Sequence, residues 1–238
     1  MSDKRVVLLS NPGRFAGPAA VRALTEDGAT VLGCAPLGEE AAGEPPAGLT
    51  MISAREPAAI VEEVTRDHGG IDVLINNDAF PAIRAKVEDA DPADLRAGLN
   101  AMVEAPYALA AAVTPAMKER RAGKMVFITS ATPFHGLPNY SMYVTARGAA
   151  NAMALSLAKE LGPHNIQVNA VAPNYVENPD YFPPEVIGDP ETLKKIVRPI
   201  PLGRLGKPDE LGALIAFLAS DRADWITAQI MPFSGGWA

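Results

Sequence analysis

Lys124-Met125-Val126-Phe127-Ile128-Thr129 reads as a buried strand, Tyr143 to Leu161 as a long apolar helix, and Gln167-Val168-Asn169-Ala170-Val171-Ala172 as the next strand. Both strands are unbroken apolar runs rather than alternations, so each expects cover on both faces. The same order of elements continues outward. Toward the N-terminus lie strand Val6–Ser10, helix Ala19–Asp27, strand Ala29–Gly33, helix Pro57–His68, strand Ile71–Asn76 and one helix from Asp94 to Arg121. Toward the C-terminus, helix Pro208–Ser220 precedes a last short strand, Ala228–Pro232.

Strands alternating with helices predict an α/β fold: a Rossmann-like, doubly wound parallel sheet of about seven strands with helices on both faces. Residues 1–238 are read as one domain, without internal repeat or low-complexity linker. The Pro-rich stretch Leu37–Gly48 reads as a loop, and the proline-rich stretch Asn174–Pro190 as a long loop after a strand. Sheets of this kind bind ligands at the carboxyl ends of their strands.

Composition narrows the function. The chain is 48% hydrophobic, enough for a large core. Its net charge of −7 argues against a nucleic-acid partner and against a polybasic membrane surface. The one cysteine, Cys34, allows no intrachain disulfide and fits a reducing compartment. Met1-Ser2-Asp3-Lys4-Arg5 runs straight into Val6–Leu9, too short for a signal core or a membrane span, so a cytoplasmic location is expected.

Ser130 stands at a strand's carboxyl end. Tyr143 follows thirteen residues later at a helix start, and Arg147 lies on the same helical face one turn on. A hydroxyl, a phenol and a guanidinium therefore converge. A fixed cation makes a phenol easier to deprotonate, although reaching neutrality from pKa 10 needs roughly 4 kcal/mol. Tyr–Arg pairs also occur on ordinary helices, so placement at the sheet's end carries the argument. Tyr140 is a rival phenol, out of step with Arg147.

Ser130-x12-Tyr143-x3-Arg147 resembles the Ser-Tyr-Lys signature of the short-chain dehydrogenase/reductase family, with Arg for Lys. The similarity spans essentially the whole chain. Asp72-Val73-Leu74-Ile75-Asn76-Asn77 resembles the strand before that family's Asn-Asn-Ala-Gly motif. Val168-Asn169-Ala170-Val171-Ala172-Pro173 resembles the strand leading to Pro-Gly, and Ser234-Gly235-Gly236 its ending.

The dinucleotide loop departs from the family. Where Thr-Gly-x3-Gly-x-Gly is expected, the chain has Ser10-Asn11-Pro12-Gly13-Arg14-Phe15-Ala16-Gly17, and only Gly17 stands on an expected glycine. The second strand ends at Cys34-Ala35 without a carboxylate for a ribose. Ser53-Ala54 stands where many relatives have an Asp near the adenine. Pro173-Asn174 replaces Pro-Gly, and the following Thr is replaced near Asn178. Met102 stands near the place of the family's helix Asn, with Asn100 out of step.

This pattern resembles the halohydrin dehalogenases, with their Ser-Tyr-Arg triad and a Thr-x4-Phe/Tyr-x-Gly motif, here Ser10-x4-Phe15-x-Gly17. Ile128–Phe134 and Asn77-Asp78-Ala79-Phe80 also look like theirs. The resemblance implies reversible conversion of a vicinal halohydrin to an epoxide, halide and proton, with no nicotinamide. It also implies epoxide opening by small anions. Ser130 would hold the substrate oxygen, Tyr143 take its proton and Arg147 stabilise the phenolate.

The resemblance further implies a halide pocket of Phe15, Pro173, Asn174, Tyr175 and Val176, with the N–H groups of Tyr175 and Val176 as donors. Phe15 and Tyr175 can equally be packing aromatics. Asp78 is implied as a link in a proton path, or is a strand-end turn residue. Phe80, Thr132, Phe134, Leu137, Tyr181 and Phe182 are expected to shape the substrate pocket, with His135 on a loop beside it. His68 and His164 read as surface residues. No His/Cys cluster suggests a metal. A homotetramer is implied, with Trp237 packing against a neighbouring subunit. Two alternatives stay open: a divergent NAD(P)-dependent reductase, and a non-catalytic binding protein on the same scaffold.

Overall fold

The computed structural model describes residues 4–36, 45–179 and 181–238. The reading of Met1-Ser2-Asp3, and most of that of Leu37–Gly48, lies outside the described residues.

Seven strands form one sheet in the order β3-β2-β1-β4-β5-β6-β7. They are β1 (Val6–Ser10), β2 (Thr30–Cys34), β3 (Thr50–Met51), β4 (Val73–Asn76), β5 (Gly123–Ile128), β6 (Ile166–Pro173) and β7 (Ile230–Phe233). Every adjacent pair is parallel. The order reverses between β1 and β4, so the crevice for a ligand opens above their carboxyl ends.

Helices cover both faces, as the continuous apolar strands require. Leu8, Leu74, Phe127 and Val168 pack with α2 (Pro57–His68), α4 (Ala105–Arg120) and α6 (Ser141–Leu161). Leu9, Val73, Ile75 and Val126 pack on the other face with α1 (Gly17–Glu26) and α9 (Pro208–Ala219). Prolines stand in the first turn of α1, α2 and α9, where the missing N–H has no intrahelical use. Gly17 opens α1 at close quarters: a Cβ there would stand 2.4 Å from the Pro12 carbonyl oxygen.

Some expectations need correction. The stretch Asp94–Arg121 is not one α-helix. It is α3 (Pro92–Leu99), a π-helical turn at Asn100–Glu104, then α4. Pro106 supplies the reason: it has no N–H to give Met102, and its ring crowds the carbonyl four residues back. Part of Asn174–Pro190 is also helical, as α7 (Pro184–Ile187), and α8 (Pro190–Val197) follows. The Asp189 carboxylate caps α8 by accepting from the Thr192 N–H at 3.0 Å. The two-residue β3 and the short α5 (Thr132–His135) were not expected.

Candidate active site

At the carboxyl ends of β1, β4, β5 and β6 lies a cavity of about 390 Å³. Ser130 enters it two residues past β5. The Thr129 N–H still bonds the Val171 carbonyl at 2.8 Å, which fixes the chain just before Ser130. The Thr132 N–H donates to Ser130 Oγ at 3.2 Å, and the two hydroxyls stand 3.0 Å apart. The sequence reading gave Thr132 to the pocket wall; its bonds show that it also orients Ser130.

Tyr143 and Arg147 project from the first turns of α6. Arg147 is buried, and its guanidinium is held by the carbonyls of Ile128 (3.1 Å) and Asp78 (3.2 Å). Its Nε reaches the Tyr143 oxygen at 3.4 Å, and its Cζ lies 5.4 Å from the phenol ring centre. Burial alone would push the Tyr143 phenol up. The Arg147 charge, and hydrogen bonds from Arg147, Ser130 and Tyr181, outweigh it and hold the phenol below its usual pKa of 10.0. The hydrogen bond from Tyr181 has no counterpart in the sequence reading, which gave that residue only to the pocket wall.

Across the cavity stands Phe15. Its backbone is left-handed, φ 50°, as is that of Asn11, also φ 50°. These are the two positions where the dehydrogenase family has glycines. Asn77 ties down this loop by donating to the carbonyls of Asn11 (2.9 Å) and Arg14 (2.8 Å). Nothing in the motif itself assigns Asn77 that task. Ser10 Oγ donates to Asp78 Oδ2 at 2.9 Å and accepts from the Asn77 N–H at 3.0 Å, which explains a hydroxyl residue at this position.

Pro173, Asn174, Tyr175 and Val176 line the side reached from β6. Tyr175 is left-handed, φ 58°. Its N–H is not free to meet an anion, because the Asn174 side chain accepts it at 3.1 Å. The expected pair of backbone donors thus reduces to Val176. Burial raises the Tyr175 phenol pKa, so this ring stays neutral.

Leu137, Tyr181, Phe182 and Asp78 line the cavity as well. Two expected residues do not. Phe134, on α5, is 52% exposed to solvent, because that short helix turns its side chain outward. Phe80 borders a separate small cavity with Gly98, Met102 and Met142, on another side of Tyr143. His135 lies on α5 rather than on a loop and packs against Trp237, 4.4 Å between ring centres and tilted by 34°. Trp237 is buried within its own chain, with Tyr175 edge-on at 5.6 Å. Left-handed Gly235 and Gly236 fold the C-terminus back to put it there. Tyr140 lines the cavity, but Tyr143 is the phenol bonded to Arg147.

Among the described residues, no group of three or more His, Cys, Asp or Glu could hold a metal ion. No helix among them is long and apolar enough to cross a membrane.

A parallel sheet of this order, with Ser130, Tyr143 and Arg147 at its carboxyl edge, defines a short-chain dehydrogenase/reductase scaffold, and the chain belongs to that superfamily. A family model described as enoyl-(acyl carrier protein) reductase matches residues 17–238. A 3-oxoacyl-(acyl-carrier-protein) reductase FabG of Thermotoga maritima is 32% identical, over 98% of both chains. Two solved structures are similar at full length. One is a dehalogenation enzyme, 46% identical over 99% of both chains, with a TM-score of 0.91. The other is a halohydrin dehalogenase (HheC) bound to ethyl (2S)-oxiran-2-ylacetate, 33% identical with a TM-score of 0.87. It is covered over 96% of its length by 97% of this chain.

Proposed function

We propose that this chain converts vicinal halohydrins to epoxides, releasing halide and a proton, and that it runs the reverse opening of epoxides by small anions. The observation that carries the reading is the Tyr143 phenol. Arg147 bonds it, the Ser130 hydroxyl lines the same cavity and favours its ionised form, its pKa is held low, and Phe15 stands across the cavity.

In this reading Ser130 donates to the substrate oxygen, and Tyr143 as phenolate takes its proton. The oxygen then attacks the neighbouring carbon, forming the C–O bond as the C–halide bond breaks. The displaced halide leaves on the opposite side, so alignment matters as much as basicity. Arg147 stays cationic and balances the phenolate. Phe15, Pro173, Asn174, Tyr175 and Val176 receive the halide, with the Val176 N–H and aromatic edges offering positive charge. Asp78, whose carbonyl accepts from Arg147 and whose carboxylate accepts from Ser10, passes the proton toward solvent.

The residues present do not fit the dinucleotide that the superfamily usually carries. The Phe15 side chain stands in place of a glycine and borders the cavity. β2 ends at buried Cys34, followed by buried Ala35, with no carboxylate there to hold a ribose. No step is therefore assigned to nicotinamide. The reductase reading has the FabG similarity in its favour and requires a nucleotide to tolerate Phe15. The deciding experiment supplies simple bromo- and chloro-alcohols without cofactor and measures free halide. Release above the uncatalysed rate is expected. Release only on adding NAD(P)H, together with nucleotide binding seen by fluorescence, would favour the reductase.

A further inference from the structure

Beneath the cavity, the interface between β4 and α6 is layered. Along β4 and just beyond it, Leu74, Asn76 and Asp78 follow one another on one face. Along α6, Ala154, Asn151 and Arg147 do the same at helical spacing. All six are buried. Leu74 and Ala154 belong to one apolar cluster, and Arg147 donates to the Asp78 carbonyl at 3.2 Å. By this register the two amides, Asn76 and Asn151, fall between the apolar layer and the charged one.

These amides are 2% and 5% exposed. Asn151 Nδ2 donates to the Ser130 carbonyl at 3.4 Å. Asn151 Oδ1, Asn76 Oδ1 and Asn76 Nδ2 have no hydrogen-bond partner among the described residues. A buried amide with every bond unmade is rare, and such groups are ordinarily taken up by internal water. The three atoms suit that partner, since they supply two acceptors and one donor group in a polar layer.

We propose that Asn76 and Asn151 bind ordered water between β4 and α6, and that this hydrated pair positions Ser130 from below. Asn76 touches no reacting atom. It acts through Asn151, whose amide donates to the Ser130 carbonyl, and so on the placing of the Ser130 hydroxyl, which shares the cavity with the Tyr143 phenol. The water site is independent of the dehalogenase reading. The link to Tyr143 needs only the phenol, not turnover.

The test uses the whole protein without substrate. A crystal structure is expected to show solvent within hydrogen-bond distance of Asn76 and of Asn151 Oδ1. Asn76→Leu removes the polar partner at similar size. The phenolate absorbance of Tyr143, isolated by difference from Tyr143→Phe, should then titrate roughly half a pH unit higher, the worth of one weakened hydrogen bond. Asn76→Ser keeps a water partner and should titrate near the wild type. If Asn76→Leu fails to fold, Asn151→Leu is read in the same way. Direct bonding of the two amides without solvent would overturn the proposal, as would unchanged titration in a folded Leu variant.

Discussion

The ring of Phe15 meets that of Tyr181 at 5.5 Å between centres, tilted by 50°. Tyr181 in turn hydrogen-bonds Tyr143. One aromatic contact therefore joins the loop after β1 to the phenol on α6. Replacing Phe15 by Gly should lower halide release by about tenfold or more through loss of alignment. Stability should fall by less than the roughly 3–5 kcal/mol of a core Phe deletion, because a left-handed residue loses about 1–2 kcal/mol of backbone strain. Halide assays and thermal melting measure both. Wild-type activity in this variant would remove Phe15 from the site.

Tyr143→Phe should abolish halide release while melting near the wild-type temperature. In the wild type the phenol pKa lies below 10.0, so dehalogenation should rise with pH through that lowered value and level off before pH 10. Arg147→Gln should move the rising limb upward. Linkage carries the same sign. Below the folded-state pKa the phenol is neutral in both states and contributes nothing. From there up to the unfolded value the unfolded state holds the extra proton, so stability rises with pH. A rate profile unchanged by Arg147→Gln would argue against the phenolate.

Gly17→Ala should be poorly tolerated. The added methyl would meet backbone, the Pro12 carbonyl oxygen at 2.4 Å, and backbone cannot swing aside as a side chain does. Overpacking of this kind costs roughly 1–3 kcal/mol or more. A clear drop in melting temperature is expected, and a wild-type melt would contradict the close approach of α1 to the loop.

Epoxide opening by azide should proceed without nicotinamide and should require Tyr143, now giving its proton to the new alkoxide. An anion met by one backbone donor and ring edges is chosen mainly by size and desolvation. Azido-alcohol formation in the wild type and its loss in Tyr143→Phe are the expected results. No product above background would remove the anion pocket.

Tyr107 on α4 and Leu155 on α6 are 54% and 39% exposed. We propose a homotetramer on the strength of the dehalogenase resemblance alone, to be read by light scattering at micromolar concentration. A monomeric mass would overturn it, and Leu155→Glu should weaken the assembly if it forms.

The parallel sheet and its helices were legible because buried strands announce themselves as unbroken apolar runs. Ser130, Tyr143 and Arg147 were legible because their spacing is local. The break before α4 was less so, since helical periodicity at Asp94–Arg121 masked the effect of Pro106. The bond from Tyr181 to Tyr143 joins residues far apart in sequence, and no local pattern encodes it. The same holds for Asn77, whose two bonds to the loop after β1 cross between elements. Phe80 and Phe134 were misplaced because an aromatic beside a motif says nothing about which way its element turns.

Asn11, Phe15 and Tyr175 keep left-handed backbones that glycine would adopt without strain. These loops thus hold a glycine-type backbone shape while carrying full side chains. For protein engineering this means that the bulk at position 15 can be varied on one chain path, each loss of ring also loosening the Tyr181 contact that reaches Tyr143. A series of Phe, Leu, Ala and Gly there would widen the cavity stepwise on an unchanged chain path, and substrate size range would become adjustable without redesigning a loop.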